Sequence, residues 1–183
     1  FRNVDKIMYF FTLNDIYGSS NIINLDNKKK ESDYKLKKYK LLNDLNSYLR
    51  NKSYLYMFIK GIGTDPSKRW FLNLYENFKK KDLDGTKNYF ISLKNFSTKI
   101  QSDFIVILLP YEFQTRNCSK NILKPQKEIS DILLNLNIEF KDLTNVFCNQ
   151  KNPKKNFYKF DPMHLSKLGH KLVYNTLKDE INF

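Results

Sequence analysis

Apolar positions along this chain follow two periods. Ile7 to Leu13 (Ile-Met-Tyr-Phe-Phe-Thr-Leu) is a nearly continuous apolar and aromatic run that ends at Asn14-Asp15. Such a run, without polar alternation, predicts a parallel strand buried on both faces. Residues 21–33 are polar and charged and predict a surface loop. From Tyr34 to Ile59 the period becomes helical, with Leu42, Leu45 and Leu49 on one face. Tyr54 to Ile59 is ambiguous, because six apolar residues in a row also fit a short strand, stopped by Gly61 and Gly63. Asp65-Pro66 is a helix start, with Asp as N-cap and Pro in the first turn. Trp70, Leu74 and Phe78 follow it at helical spacing.

A second helix is expected over Gly85 to Ile100, with Tyr89, Leu93, Phe96 and Ile100 inward. Asp103 to Leu109, closed by Pro110, is the clearest strand: β-branched, uninterrupted, and again suited to burial on both faces. Pro125 opens a helix carrying Ile129, Ile132, Leu133 and Leu136. Ile138 to Leu143 alternates and predicts a short strand. The last helix starts near Ser166 and presents Leu168, Leu172, Val173, Leu177 and Ile181. The order strand, helices, strand, helix, strand, helix predicts an α/β fold with a parallel sheet. Ligands in such sheets bind beyond the carboxyl ends of the strands. Asn14 and residues 110–114 fall at such ends, and residues 161–164 lie between the last strand and the last helix.

Composition narrows this picture. A chain of 183 residues is long enough for one domain with a real core. The formal charge of +13 raises nucleic acid as a partner. However, the charge is nearly all Lys scattered along the chain, while Arg occurs only at positions 2, 50, 69 and 116. Base readout and bidentate phosphate contacts favour Arg, so no nucleic-acid partner is expected. Cys118 and Cys148 lie outside any C-x-x-C spacing, and there are two His. No metal site or cofactor is therefore expected, and pairing of the two Cys is left open. No apolar stretch approaches a membrane span.

The chemistry concentrates in Asp161-Pro-Met-His164-Leu-Ser166-Lys-Leu-Gly169-His170. A carboxylate three residues before an imidazole offers, from one short turn, a base and the group that orients it. His164 is the candidate base and Asp161 its partner. His170 fits an ordinary helix surface, and Ser166 a helix cap. Asp15 fits a loop-fixing carboxylate, and Gly18-Ser19-Ser20 a loop turn. Gln114 and Arg116, after a strand end, are candidates for a substrate rim.

In these features the chain resembles the SGNH hydrolase superfamily, the GDSL-type esterases and acylhydrolases. Three blocks carry the resemblance in order: Thr12-Leu13-Asn14-Asp15 is similar to the G-x-N-D block, Leu108-Leu109-Pro110 to the following core strand, and Asp161-x-x-His164 to the closing D-x-x-H block. The likeness runs roughly from residue 4 to 180. It implies a three-layer α/β/α sandwich with a flavodoxin-like parallel sheet, His164 as general base, Asp161 as its orienting carboxylate, and Asn14 as an oxyanion-hole donor. Thr12 stands where the family has Gly.

The family's Gly-Asp-Ser nucleophile block and its oxyanion-hole Gly have no counterpart before Asn14. The expectation is therefore that residues 1–183 are one SGNH-like domain lacking its N-terminal strand and Ser, and that the fragment alone is inactive. The implied reaction is ester hydrolysis, with small acyl esters or O-acetyl groups on carbohydrate as substrate. Transfer of the acyl group to a carbohydrate hydroxyl, or an inactive binding domain on the same fold, are the alternatives. Export or membrane anchoring is implied only by the resemblance. Oligomeric state is left open.

Overall fold

A computed structural model describes residues 4–16, 44–45, 48–49, 51–63, 65–78, 83–159, 161 and 163–178. Leu42, the expected loop at 21–33, Gly18-Ser19-Ser20 and Ile181 lie outside the described residues. The chain divides into two compact units, Phe1–Ser19 with Ser67–Phe183, and Ser20–Pro66.

In the unit Ser20–Pro66, the ambiguous segment is helical. Helix α1 runs over Tyr54–Gly63, so Gly61 and Gly63 do not stop it at Ile59. Leu45, expected on a shared apolar face with Leu49, is exposed while Leu49 is half-buried. Helix α2 (Pro66–Phe78) begins at the boundary of the units, with Pro in its first turn as expected.

The other unit is α/β. Strands β1 (Lys6–Phe11), β2 (Asp103–Leu108) and β3 (Glu139–Asp142) are parallel, and among the described residues they form one sheet in the order β1-β2-β3. Lys6 to Phe11 pair in register with Asp103 to Leu108, and Ile105 to Leu108 with Glu139 to Asp142. Between the strands lie α3 (Asp84–Lys99), α4 (Glu112–Asn117) and α5 (Lys124–Asn135). After β3 come α6 (Thr144–Cys148), a 3-10 turn at Pro153–Asn156, and α7 (Lys167–Leu177).

β2 behaves as its sequence predicts. Val106 and Leu108 enter one apolar cluster, with Phe11, Phe71, Phe90, Ile129 and Leu133. Ile105 and Ile107 enter a second, with Leu143, Phe147, Phe157, Leu165, Val173 and Leu177. Alternation of Cβ direction along a strand makes this division automatic. β1 does not behave as expected. It ends the strand order, only Phe11 in it is fully buried, and Phe10 is 41% exposed. A strand with a neighbour on one side only is covered less than a central one.

The helix faces also need correction. In α3, Phe96 and Ile100 are exposed, and the buried positions are Thr86, Phe90 and Ser97, with Tyr89 and Leu93 half-buried. Phe90 sets this rotation: its ring lies 5.4 Å from that of Phe11, and small Thr86 and Ser97 admit the helix close to the sheet. In α2, Phe71 is buried and Trp70 is exposed, and the Phe71 ring stacks on Tyr75 and meets Phe113. In α7, Leu168 is exposed while Val173 and Leu177 are buried. Helix α5 buries Ile129 and Leu133, and its C-terminal carbonyls at Leu136 and Asn137 accept from Lys94 Nζ of α3 at 2.7 and 3.1 Å.

Cys118 and Cys148 form a disulfide across 30 residues, with Cα atoms 6.1 Å apart. Cys118 caps α4 in the left-handed region (φ 47°), and Cys148 closes α6.

The rotation of α3 gives a paired test. Phe90→Ala should cost about 3–5 kcal/mol in urea unfolding, the range for truncating a buried Phe. Phe96→Ala should stay within about 0.5 kcal/mol, as for an exposed position. Equal losses would contradict the observed face.

Candidate functional site

Parallel pairing places the carboxyl ends of all three strands along one edge of the sheet. Beyond β1, Leu13–Asp15 forms a 3-10 turn. Asp15 fixes it, as the sequence suggested: its Oδ2 accepts from the Thr12 backbone N–H at 2.9 Å and from Thr12 Oγ1 at 3.3 Å. Thr12 Oγ1 also donates to Asn14 Oδ1. Asn14 is exposed. With one lone pair of Oδ1 engaged, the Nδ2 group can still donate.

Beyond β2, the chain turns at Pro110-Tyr111 into α4. Gln114, expected at a substrate rim, is completely buried instead. Its Oε1 accepts from Tyr111 N–H at 2.9 Å and from Gln126 Nε2 at 2.7 Å. Its Nε2 donates to Gln126 Oε1 at 2.6 Å and to the Ile122 carbonyl at 3.0 Å. A buried amide must spend its polar atoms on internal partners, and Gln114 does so by locking the post-β2 turn to α5. Arg116 is half-buried and pairs within its own helix. Its Nε and NH2 donate to the two carboxylate oxygens of Glu112 at 2.6 Å, and its guanidinium lies 5.6 Å from the Phe113 ring centre.

The Asp161–His164 segment is a short loop held at both ends. Phe157 and Leu165, both buried, form an antiparallel bridge at its base. Tyr158 N–H donates to the His164 carbonyl, and Asp161 N–H to the Tyr158 carbonyl, both at 3.1 Å. Within the loop, Asp161 Oδ1 accepts from the backbone N–H groups of Met163 and His164, each at 3.1 Å. This is the local bonding by which Asp fixes a turn, and it explains why the carboxylate precedes the imidazole by three residues. Oδ2 remains and meets His164 Nδ1 at 2.7 Å. An ionised carboxylate can only accept, so Nδ1 carries the proton and Nε2 is left as the acceptor. The His164 side chain is 69% exposed, so Nε2 is open to approach.

Burial acts to raise the Asp161 pKa. The hydrogen bond from the His164 ring, the two backbone N–H bonds and the His164 charge outweigh it, and the net displacement is downward. The carboxylate is thus ionised throughout the neutral range.

Helix α7 secures the far side of the loop. Ser166 is its N-cap, accepting from Gly169 N–H at 3.3 Å, while its hydroxyl donates to the Lys155 carbonyl at 2.6 Å. A Cβ on Gly169 would lie 2.1 Å from the Asn156 backbone oxygen, so only glycine permits this approach. His170 is exposed on α7, as the helical spacing suggested.

One residue the sequence reading passed over joins the segments. Tyr111 is buried, and its hydroxyl contacts Met163 Sδ at 3.1 Å. Burial pushes the phenol pKa well upward, the nearby Asp15 carboxylate adds to this, and a hydrogen bond from the Asn14 backbone opposes it. The end of β1, the end of β2 and the residue beside His164 therefore meet at one hydroxyl. The signal in the sequence was a Tyr directly after the strand-ending Pro110. Among the described residues no group of three His, Cys, Asp or Glu side chains gathers as a metal ion requires, and no helix is long and apolar enough to cross a membrane.

Comparison with known proteins finds no matching family model, no matching curated protein and no matching solved structure.

Two outcomes follow from this geometry. Long-range 1H–15N correlation spectra should show neutral His164 protonated at Nδ1. Asp161→Asn, whose amide can donate, should move that population toward the Nε2–H tautomer, and an unchanged spectrum would refute the orienting role. Gly169→Ala should destabilise the fold by about 1–3 kcal/mol in chemical denaturation, as for overpacking against a fixed backbone.

Proposed function

We propose that this chain carries the base and the orienting carboxylate of a Ser-His-Asp acyl-ester hydrolase of the SGNH kind. The observation that carries the reading is the Asp161–His164 pair: a 2.7 Å contact, a carboxylate whose second oxygen is tied to two backbone N–H groups, and an exposed ring. The convergence of the Asn14 and Met163 segments on Tyr111 supports a shared rim for Asn14 and His164. For the fold, the division of β2 side chains between two clusters supports the three-layer α/β/α arrangement.

In the proposed reaction a serine hydroxyl passes its proton to His164 Nε2 while its oxygen attacks the ester carbonyl. Asp161 stabilises the imidazolium, and the Asn14 amide donates to the oxyanion. The intermediate collapses as His164 returns the proton to the departing alkoxide. Water then repeats the sequence and releases the acid. The family's Gly-Asp-Ser block has no match among these 183 residues, so the reading takes the serine from polypeptide outside them. Small acyl esters such as O-acetylated carbohydrate are the proposed substrates.

The test is steady-state hydrolysis of an acetyl ester by the full-length protein. His164→Ala should lower kcat on the order of 10⁴-fold or more, and Asp161→Asn on the order of 10³- to 10⁴-fold. A loss below about tenfold for His164→Ala would overturn the assignment.

A further inference from the structure

Tyr111 is 1% exposed, so it meets no substrate. Its backbone is anchored on its own account. The Tyr111 N–H donates to Gln114 Oε1 at 2.9 Å, and the Tyr111 carbonyl accepts from Gln114 N–H at 3.0 Å. Gln114 is in turn tied to Gln126 of α5. The ring therefore projects from a fixed post just beyond β2. It joins the apolar cluster that holds Leu13 and Ile16, which flank the Asn14 turn, and Met163 packs against the same cluster.

One hydroxyl then serves two loops. In the 3-10 turn Leu13–Asp15, the bond that closes the turn runs from Asp15 N–H to the Thr12 carbonyl at 2.9 Å. The leading N–H groups of a helical turn have no partner inside it. The Asn14 N–H finds one in the Tyr111 oxygen. The hydroxyl proton is left for Met163 Sδ, at 3.1 Å. Burial holds the phenol neutral, so that proton stays on the oxygen. A Met side chain has three rotatable bonds and fills space in many ways, so packing alone fixes it poorly. Met163 directly precedes His164, and its N–H is bound by Asp161 Oδ1, as is that of His164.

We propose that Tyr111 is a positioning residue, its hydroxyl holding the Asn14 turn and the Met163–His164 segment in register so that oxyanion donor and base address one carbonyl. The proposal rests on the hydrolase reading. A misplacement of roughly 1 Å costs on the order of 100-fold in rate, which makes such a link matter.

The experiment is Tyr111→Phe in the full-length protein, which keeps the ring and removes the hydroxyl. With an acetyl ester, kcat should fall about tenfold or more while KM stays within about twofold. By amide hydrogen exchange, Asn14 should exchange about tenfold faster or more, with the Val106 amide of β2 as the reference for global opening. If circular dichroism shows Tyr111→Phe unfolded, Met163→Leu takes its place, removing the acceptor at nearly constant volume, with the same expected loss in kcat. Unchanged kcat beside an inactive His164→Ala would overturn the positioning role alone and leave the hydrolase reading standing. Equal acceleration at Asn14 and Val106 would mark a general loss of stability and overturn it as well, as would a rise in KM with kcat unchanged. A loss below about tenfold for His164→Ala would remove the hydrolase reading, and this proposal with it.

Discussion

Parallel pairing on both sides of β2 is the constraint from which the rest of the sheet unit follows. Its register with β1 and β3 brings three carboxyl ends to one edge. Its alternating side chains feed two separate apolar clusters. Phe90 and Ile129 anchor α3 and α5 in one cluster, while Val173 and Leu177 anchor α7 in the other. The Asp161–His164 loop hangs from the second cluster through Phe157 and Leu165, so its position is a result of core packing.

The loop itself shows how little is needed to orient an imidazole. One carboxylate uses one oxygen to shape the turn and the other to choose the tautomer. Both tasks fall to Asp161 because backbone N–H groups two and three residues later are within its natural reach. Ser166 and Gly169 then fix the helix that follows, Ser166 by capping and Gly169 by lacking a Cβ. The residues of the Asp161–His170 run thus divide between the Asp–His pair and the turn and helix that hold it.

The strands were legible because continuous apolar runs bounded by polar turns have few other readings, and β2 was found almost to the residue. Helix existence was also legible at α2, α3, α5 and α7. Helix rotation was not, since Phe96 and Ile100 satisfy the same spacing as an inward face and only contact with Phe11 selects Phe90. At the site, Asp161 and His164 came from spacing alone, because their interaction is local. Gln114 was misjudged because a position after a strand end does not reveal that its side chain turns inward to Gln126, and the pairing of half-buried Arg116 with Glu112 was equally hidden. Tyr111 was missed for the same reason, since its partners lie about 100 and 50 positions away in the chain.

The bond between Cys118 and Cys148 encloses α5 and β3 in a covalent ring. A single backbone cut inside that ring leaves both products joined, whereas a cut outside it releases a separate piece. The segment that supplies the third strand and the Gln126 partner of Gln114 is thereby retained after a nick that would free it in the reduced chain. Oxidation state thus decides whether a single cut there divides the chain in two or merely opens a turn.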